Sequence, residues 1–455
     1  MRTFGLWGRF ASLLALLVAS SLSYAATSST HEYVLPNGLK LIVREDHRAP
    51  VVVSQVWYRV GASYESAGHT GLSHVLEHMM FKDTKQLDTG EFSRIMASVG
   101  ATENAFTSRD ATAYYQVLAA NRLALSFELE AERMHNLVIS DEEFARELQV
   151  VMEERRQRVE DRPAGIAYER FLATAHQASP YGNPVIGWQQ DLESMQAEDL
   201  RRWYQAWYSP NNAIVVVVGD VDAEEVLQLA SRYFGPLSAR ELPVVKPLFE
   251  INSPGARRIA LELENARLPS LYMGFNVPVL NTASEAWETY ALRMLSGVLD
   301  GGYSARIESE LVRGSEVASS AGAGYSPFSR GDNLFILNGV PNTQKGYNLE
   351  DLEAAFWEQI EALKQTPPTQ QELARIKAQV ISSLVYEKDS ISSQAQQIGT
   401  LESIGQSWRV ADQELDLLSA ITPEQVQQVA QKYLTPERLA VATLRPKPAT
   451  DVATQ

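Results

Sequence analysis

The feature that most constrains the fold of this 455-residue chain is that part of it is written twice. "MQAEDLRRWYQAWYSPNNAIVVVVGDV", from Met195, and "ITPEQVQQVAQKYLTPERLAVATLRP", from Ile421, each give an amphipathic helix, a Ser/Thr-Pro turn and an apolar β-branched strand, at an offset of 226. Upstream, Ser140 to Glu143 and Thr369 to Glu372 both read as capping boxes, leading into "EFAR" and "ELAR" at an offset of 229. A tandem duplication follows, and it divides the chain. Between the copies "ELPVVKPLFEINSPG" carries Pro243, Pro247 and Pro254, which suits an extended linker and no helix. The expected organisation is a first domain over 26–242, a linker over 243–256, a homologous second domain over 257–446 and a flexible tail over 447–455.

Each copy opens with strands, "YVLPNGLKLIVRED" and "VVVSQVWYRVGA" in the first and "RRIALELE" and "SLYMGFNVP" in the second, and each closes on a strand after a run of helices. Asn37-Gly38 marks a hairpin turn. This order predicts an α+β fold of two duplicated domains, each a mostly antiparallel sheet with helices packed on one face.

The start of the chain reads as a secretory signal. Arg2 and Arg9 precede or border an apolar run of 13 residues, Phe10 to Leu22, and Ser23-Tyr24-Ala25 supplies small residues for cleavage after Ala25. The run is too short to span a bilayer, which needs roughly 20 apolar residues. Loss of 1–25 leaves 38 basic against 56 acidic side chains, a net charge of −18. Such a balance argues against nucleic acid and anionic membrane as partners. The absence of cysteine excludes disulfides, a lipid-attachment site and thiolate metal ligands. A soluble periplasmic protein is expected.

All seven histidines lie in the first half, so only that half can hold a histidine site. In "LSHVLEHMMF", Leu72 to Phe81, His74, Glu77 and His78 share one helix face. Two imidazoles at this spacing offer two ligands to zinc, and the glutamate between them can sit beside a metal-activated water. A catalytic zinc wants a third protein ligand, and the acid-rich helix "SDEEFARELQVVMEERRQRVEDRP" supplies candidates. Glu147 lies on the side bearing Phe144, Val150 and Val151, and its counterpart in the second copy is Ile376. Spacing alone leaves Glu147 level with Glu143, Glu153 and Glu154.

"HVLEH" resembles the inverted zinc motif of the pitrilysin and insulysin peptidases, the inverzincins. "ELQVVMEE" is similar to the pattern that follows it in that family, and the resemblance extends over "PNGLKLIV", "GATENAFTSRDATAYY" and "YGNPVIGW", most closely to the shorter two-domain members related to the mitochondrial processing peptidase. It implies Zn2+ held by His74, His78 and Glu147, with Glu77 as the base that activates water for peptide-bond hydrolysis. It implies an extended peptide substrate lying against an edge strand, Ala101 to Ser108, and touching Asn104, Ala105 and Phe106. It further implies work in pairs of chains enclosing a chamber.

One departure stands out. Family members carry an arginine and, seven residues later, a tyrosine in the second domain; here, after Gly301-Gly302 and Glu310-Leu311, the corresponding residues are Val312 and Ser319, and a shift to Arg313 finds Ser320. A homologous partner subunit is therefore expected to supply the pair, the alternative being a homodimer using Arg313 or Tyr325. A non-catalytic scaffold or a peptide-binding subunit of the same fold is the competing function.

Overall fold

The computed structural model describes residues 29–251 and 253–447. The expected signal peptide and the tail from 448 lie outside the described residues. Two sheets carry the fold. The first holds β1 (Thr30–Val34), β2 (Lys40–Glu45), β3 (Val51–Tyr58), β4 (Thr102–Thr107), β5 (Thr112–Ala119) and β6 (Ala213–Gly219), in the order β1-β2-β6-β3-β5-β4. The second holds β7 (Arg257–Leu263), β8 (Ser270–Val277), β9 (Ala318–Gly324), β10 (Asn333–Pro341) and β11 (Leu439–Pro446), in the order β7-β11-β8-β10-β9.

The two orders are the same order. In each sheet the last strand of the half, β6 or β11, inserts beside the first repeated strand, β2 or β7, as the single parallel pair, and every other pairing is antiparallel. β6 reads AIVVVVG and is buried throughout, as a central strand covered on both faces must be. β1 has no counterpart and joins β2 through a turn in which Gly38 takes φ +86° and Asn37 Nδ2 donates to Phe234 O and Leu237 O.

The helices needed below are α1 (Leu72–Met79), α2 (Leu123–Asn136), α3 (Asp141–Arg155), α4 (Pro163–Ala175), α5 (Ala197–Trp207), α6 (Ala223–Tyr233), α7 (Ala286–Asp300), α8 (Leu349–Gln365), α9 (Gln370–Glu387), α10 (Ile391–Ser403) and α11 (Pro423–Tyr433). In the first half α1, α2, α3, α5 and α6 bury their apolar stripes against one face of the sheet, around Val56, Tyr114 and Val215. α7, α8, α9 and α11 do the same in the second half, around Met273, Phe335 and Val441. α5 and α11, each followed by its strand, are the repeated helix-strand units seen in the sequence. The paired N-caps differ: Thr369 and Glu372 form the full capping box, while Ser140 accepts from Glu143 N and the Glu143 carboxylate turns to Arg146 instead.

What the sequence pattern does not show is the cover of the opposite faces. α10, from the second half, lays Ala395 and Ile398 on Trp57, Ile214 and Val216 of the first sheet. α4, from the first half, lays Phe171 and Ala175 on Leu334, Ala440 and Ala442 of the second. Each half thus lends one helix to the other, so the two sheets are tied into one body by reciprocal apolar packing.

Candidate active site

α1 is short, and its start is fixed from outside. Gly71, at φ +93°, turns the chain into the helix, and the Gly71 and Ser73 amides donate to the Glu65 carboxylate at 2.7 Å each. Burial raises the Glu65 carboxyl and those two amides partly offset it, leaving it at about 7. This cap orients a helix whose polar face carries His74, Glu77 and His78.

α3 crosses that face, and two of its glutamates reach it from opposite sides. Glu154 Oε2 lies 3.3 Å from His74 Nε2 and 3.3 Å from His78 Nε2. Glu147 Oε1 lies 2.9 Å from His78 Nδ1, and its Oε2 meets Lys82 Nζ at 2.6 Å. Where Glu147 is expected to complete the cluster, the structure places Glu154 at the point on which both Nε2 atoms converge and Glu147 on His78 Nδ1. Among the described residues the group whose donor atoms converge, all within 4.8 Å of one another, is His74, His78 and Glu154. Glu147 sits behind the His78 ring, on the nitrogen that points away from the convergence. Such a carboxylate fixes the imidazole with its proton on Nδ1 and presents the Nε2 lone pair.

Glu77 projects beside the cluster. Its Oε2 accepts from Thr107 Oγ1 at 2.6 Å and lies 3.5 Å from His74 Nδ1. Thr107 belongs to β4, which among the described residues pairs with β5 alone and leaves its other edge open. Ala105 faces the helices with Thr107, and Phe106 points the other way, edge-on to Trp57 at 5.3 Å. The strand named from the sequence, with Asn104, Ala105 and Phe106, is thus a free sheet edge that ends at Glu77.

Electrostatics reinforce the grouping. Burial opposes a charge on His74, but the hydrogen bonds with Glu154 and Glu77 outweigh it and hold the imidazolium up to about 9. The same contact with His74, against burial, holds Glu154 down at about 2. For Glu147 burial acts upward, and His78 and Lys82 together bring it below the usual carboxylate range. Sequence reasoning missed Lys82, Thr107 and Glu65; none carries a spacing signal, because each reaches the site from a different element.

In the second half Val312 ends a π-helical stretch, Ile307–Val312, and Ser319 lies in β9 with its hydroxyl on Val340 O. Arg313 is engaged locally, donating to Tyr303 O at 2.6 Å and stacked over the Tyr303 ring. Tyr325 donates to Pro278 O at 2.6 Å, and burial pushes its phenol well up.

Comparison with known proteins bears on this arrangement. Residues 40–188 match the family model described as Insulinase (Peptidase family M16), and residues 194–380 match that of the Peptidase M16 inactive domain. The chain is 34% identical over 387 residues to the zinc protease PqqE of Helicobacter pylori, covering 83% of this chain and 85% of that one. It is 25% identical to the uncharacterized zinc protease YmxG of Bacillus subtilis, covering 91% and 98%. Among solved structures, a protease from Helicobacter pylori superposes with a TM-score of 0.86 at 29% identity, covering 92% of this chain and all of that one. The periplasmic protease PqqL from Escherichia coli shares the fold at 18% identity and a TM-score of 0.78; this chain covers 47% of it.

Proposed function

The chain belongs to peptidase family M16, and from that premise we propose that it is a zinc-dependent endopeptidase that hydrolyses unfolded peptide segments in the periplasm, with His74, His78 and Glu154 as the metal's protein ligands. The observation that carries this reading is the position of Glu154 Oε2, 3.3 Å from the Nε2 atoms of both histidines. The donor set fits the metal: two imidazole nitrogens and one carboxylate match the three protein ligands of a catalytic zinc with an open position, and Glu147 supplies the outer carboxylate that such a histidine takes on its second nitrogen.

Zinc held there would supply Lewis acidity, lowering the pKa of water and polarising a peptide carbonyl. Glu77 is the general base. Thr107 occupies its Oε2, so its Oε1 is left to take the proton from the attacking water and return it to the leaving amine. Glu147, neutralised by Lys82, keeps the His78 ring in place. The open edge of β4 receives the substrate as an added strand, with Asn104, Ala105 and Phe106 along it, which delivers an extended backbone to Glu77 and favours unfolded peptides over folded ones.

The chain works with a homologous subunit. Val312 and Ser319 supply neither of the expected donors, and Arg313 and Tyr325, the substitutes a homodimer would need, are already engaged by Tyr303 and Pro278. The coverage of PqqL, under half of that longer chain, gives room there for a second unit of this size.

Glu77→Gln tests the reading. Zinc, measured by elemental analysis, should stay stoichiometric, while cleavage of an unfolded peptide by the partnered protein falls roughly a hundred- to ten-thousand-fold. Loss of the metal together with activity would make Glu77 a ligand and overturn the roles.

A further inference from the structure

Beyond the metal cluster, the cleft between the two halves holds a cation that pairs with no acid among the described residues. Arg109 stands in the turn between β4 and β5, two residues past Thr107. Its backbone is fixed: Ser63 N donates to Arg109 O at 2.7 Å, and Ala62 N to Ser108 O at 3.1 Å. The adjacent acid cannot pair with it. Asp110 is buried and fully engaged, accepting from Ser63 Oγ at 2.9 Å, Tyr181 Oη at 2.5 Å and the Arg330 amide at 3.0 Å. Among the described residues the Arg109 guanidinium makes no ion pair or hydrogen bond, and its contact is the Tyr181 ring, 5.4 Å from the centroid.

Two cavities meet at this side chain. One, of 550 Å³, lies between the halves and is walled by Trp57, Phe106, Tyr181 and Phe328. The other, of 640 Å³, runs along β9, where a side chain on Gly324 would meet nothing within 4 Å. A third, of 690 Å³, opens on the far side of Phe106. Among the described residues lining the three, Arg109 is the only cation. Asp300, the acid nearest β9, already accepts from Ala323 N at 3.1 Å.

We propose that Arg109 is a specificity-determining residue that binds a carboxylate of the peptide substrate, either an acidic side chain or the C-terminal carboxylate, in the aromatic-walled cleft beyond the end of β4. The proposal rests on the peptidase reading and names what that site selects. A strand added to β4 sends alternate side chains toward α1 and toward the cleft, as Thr107 and Phe106 do. At about 3.3 Å per residue, a side chain two or three positions from the bond beside Glu77 reaches Arg109. A guanidinium takes a carboxylate in a two-pronged, charge-assisted geometry, and partial exclusion of water by Trp57, Phe106 and Tyr181 strengthens the pair relative to bulk solvent. In a chain of net charge −16, one unpaired cation in the cleft is a selective feature against a background that repels acids.

The test is equilibrium binding to the full chain carrying Glu77→Gln, which removes turnover. Labelled, otherwise uncharged host peptides carry a single Glu or Gln at each position in turn, and a second set ends in a free acid or an amide. One position, or the terminus, should bind about tenfold more tightly as the carboxylate, less so at high salt. Arg109→Gln should bring that ratio to unity, and Arg109→Lys should keep part of it. If Arg109 only braces Tyr181, its substitution lowers thermal stability and leaves the ratio as it was; that result, or equal binding of every Glu and Gln pair and of acid and amide, overturns the proposal. Turnover by the partnered protein that retains Glu77 is scored separately: a carboxylate preference without any cleavage would leave Arg109 in this role and remove the peptidase.

Discussion

In the first half α3 lays Glu147 and Glu154 against the histidines of α1; in the second half the repeated pair, α9 on α7, meets through Ile376 and Gly297. Ile376 occupies on α9 the place that Glu147 occupies on α3, and it is fully buried. A Cβ built on Gly297 would lie 2.5 Å from Ile376 Cγ2, and one on Gly301 2.6 Å from Ile376 Cδ1, so the two helices are in direct apolar contact where the first half has the hydrogen bond between His78 and Glu147. The same framework is thus stable with a cluster of ionisable groups or with a closed core. Burial of a side chain like Ile376 stabilises by about 1.5 to 3 kcal/mol. The first half forgoes that gain, and must satisfy each charge with a partner: Lys82 for Glu147, Arg158 for Glu154, Thr107 for Glu77.

The contrast is broken most completely by Glu154→Gln. With the convergent oxygen replaced by an amide, stoichiometric zinc should be lost, whereas Glu147→Gln, which acts only through His78, should weaken zinc roughly 10- to 100-fold. Chelator competition on the two variants measures the difference. Equal loss in both would mean that position along α3 does not decide the ligand.

That comparison also shows how far the sequence could be read. Glu147 and Glu154 are seven residues apart, about 20° on a helix of 3.6 residues per turn, so they share one face and no periodicity can separate them. They differ by about 10 Å along the axis, and only the point at which α3 crosses α1 decides between them. His74, Glu77 and His78 were legible because their relation is local to one helix. The likeness of the two halves was foreshadowed by the repeated helix-strand units, each contiguous in sequence; the order of strands within each sheet was not. The exchange of α4 and α10 was not, because an amphipathic stripe says that a helix has an apolar face and leaves open which sheet that face covers.

The converse substitution, Ile376→Glu, places a first-half residue in the second. The second half has no histidine, and Ile376 is fully buried against Gly297 and Gly301, so a carboxylate there would be buried without the His78 and Lys82 partners that Glu147 has. A loss of about 3 to 5 kcal/mol in folding stability is expected, read from chemical denaturation. A loss below about 1 kcal/mol would show that the second half retains a polar pocket.

A smaller effect follows from His74. In the metal-free protein burial opposes its charge, and Glu154 and Glu77 outweigh burial to hold the proton up to about 9. Zinc must displace that proton. Apparent zinc affinity should therefore climb about tenfold per pH unit from about pH 7, and level off above about pH 9. Glu154, held near 2, is ionised throughout and adds no slope. A flat profile from competition titrations would mean that His74 is already neutral.

The finest test of the contrast is Gly297→Ala. In a helix interior an alanine is favoured over glycine by up to about 1 kcal/mol, so on propensity alone the change stabilises α7. Against this stands the contact with Ile376. The new methyl would meet Cγ2, an atom on a branched carbon whose rotamer is stiff, so relief requires the helices to part by a fraction of an ångström. Overpacking of this kind costs about 1 to 3 kcal/mol. The second effect should win narrowly, giving a net loss of about 1 kcal/mol and a transition a few degrees lower in thermal denaturation, with zinc binding at the first-half site unchanged. A gain in stability would show that α7 and α9 have slack between them, and the second half would then lack a metal site only for want of ligands and not for want of space.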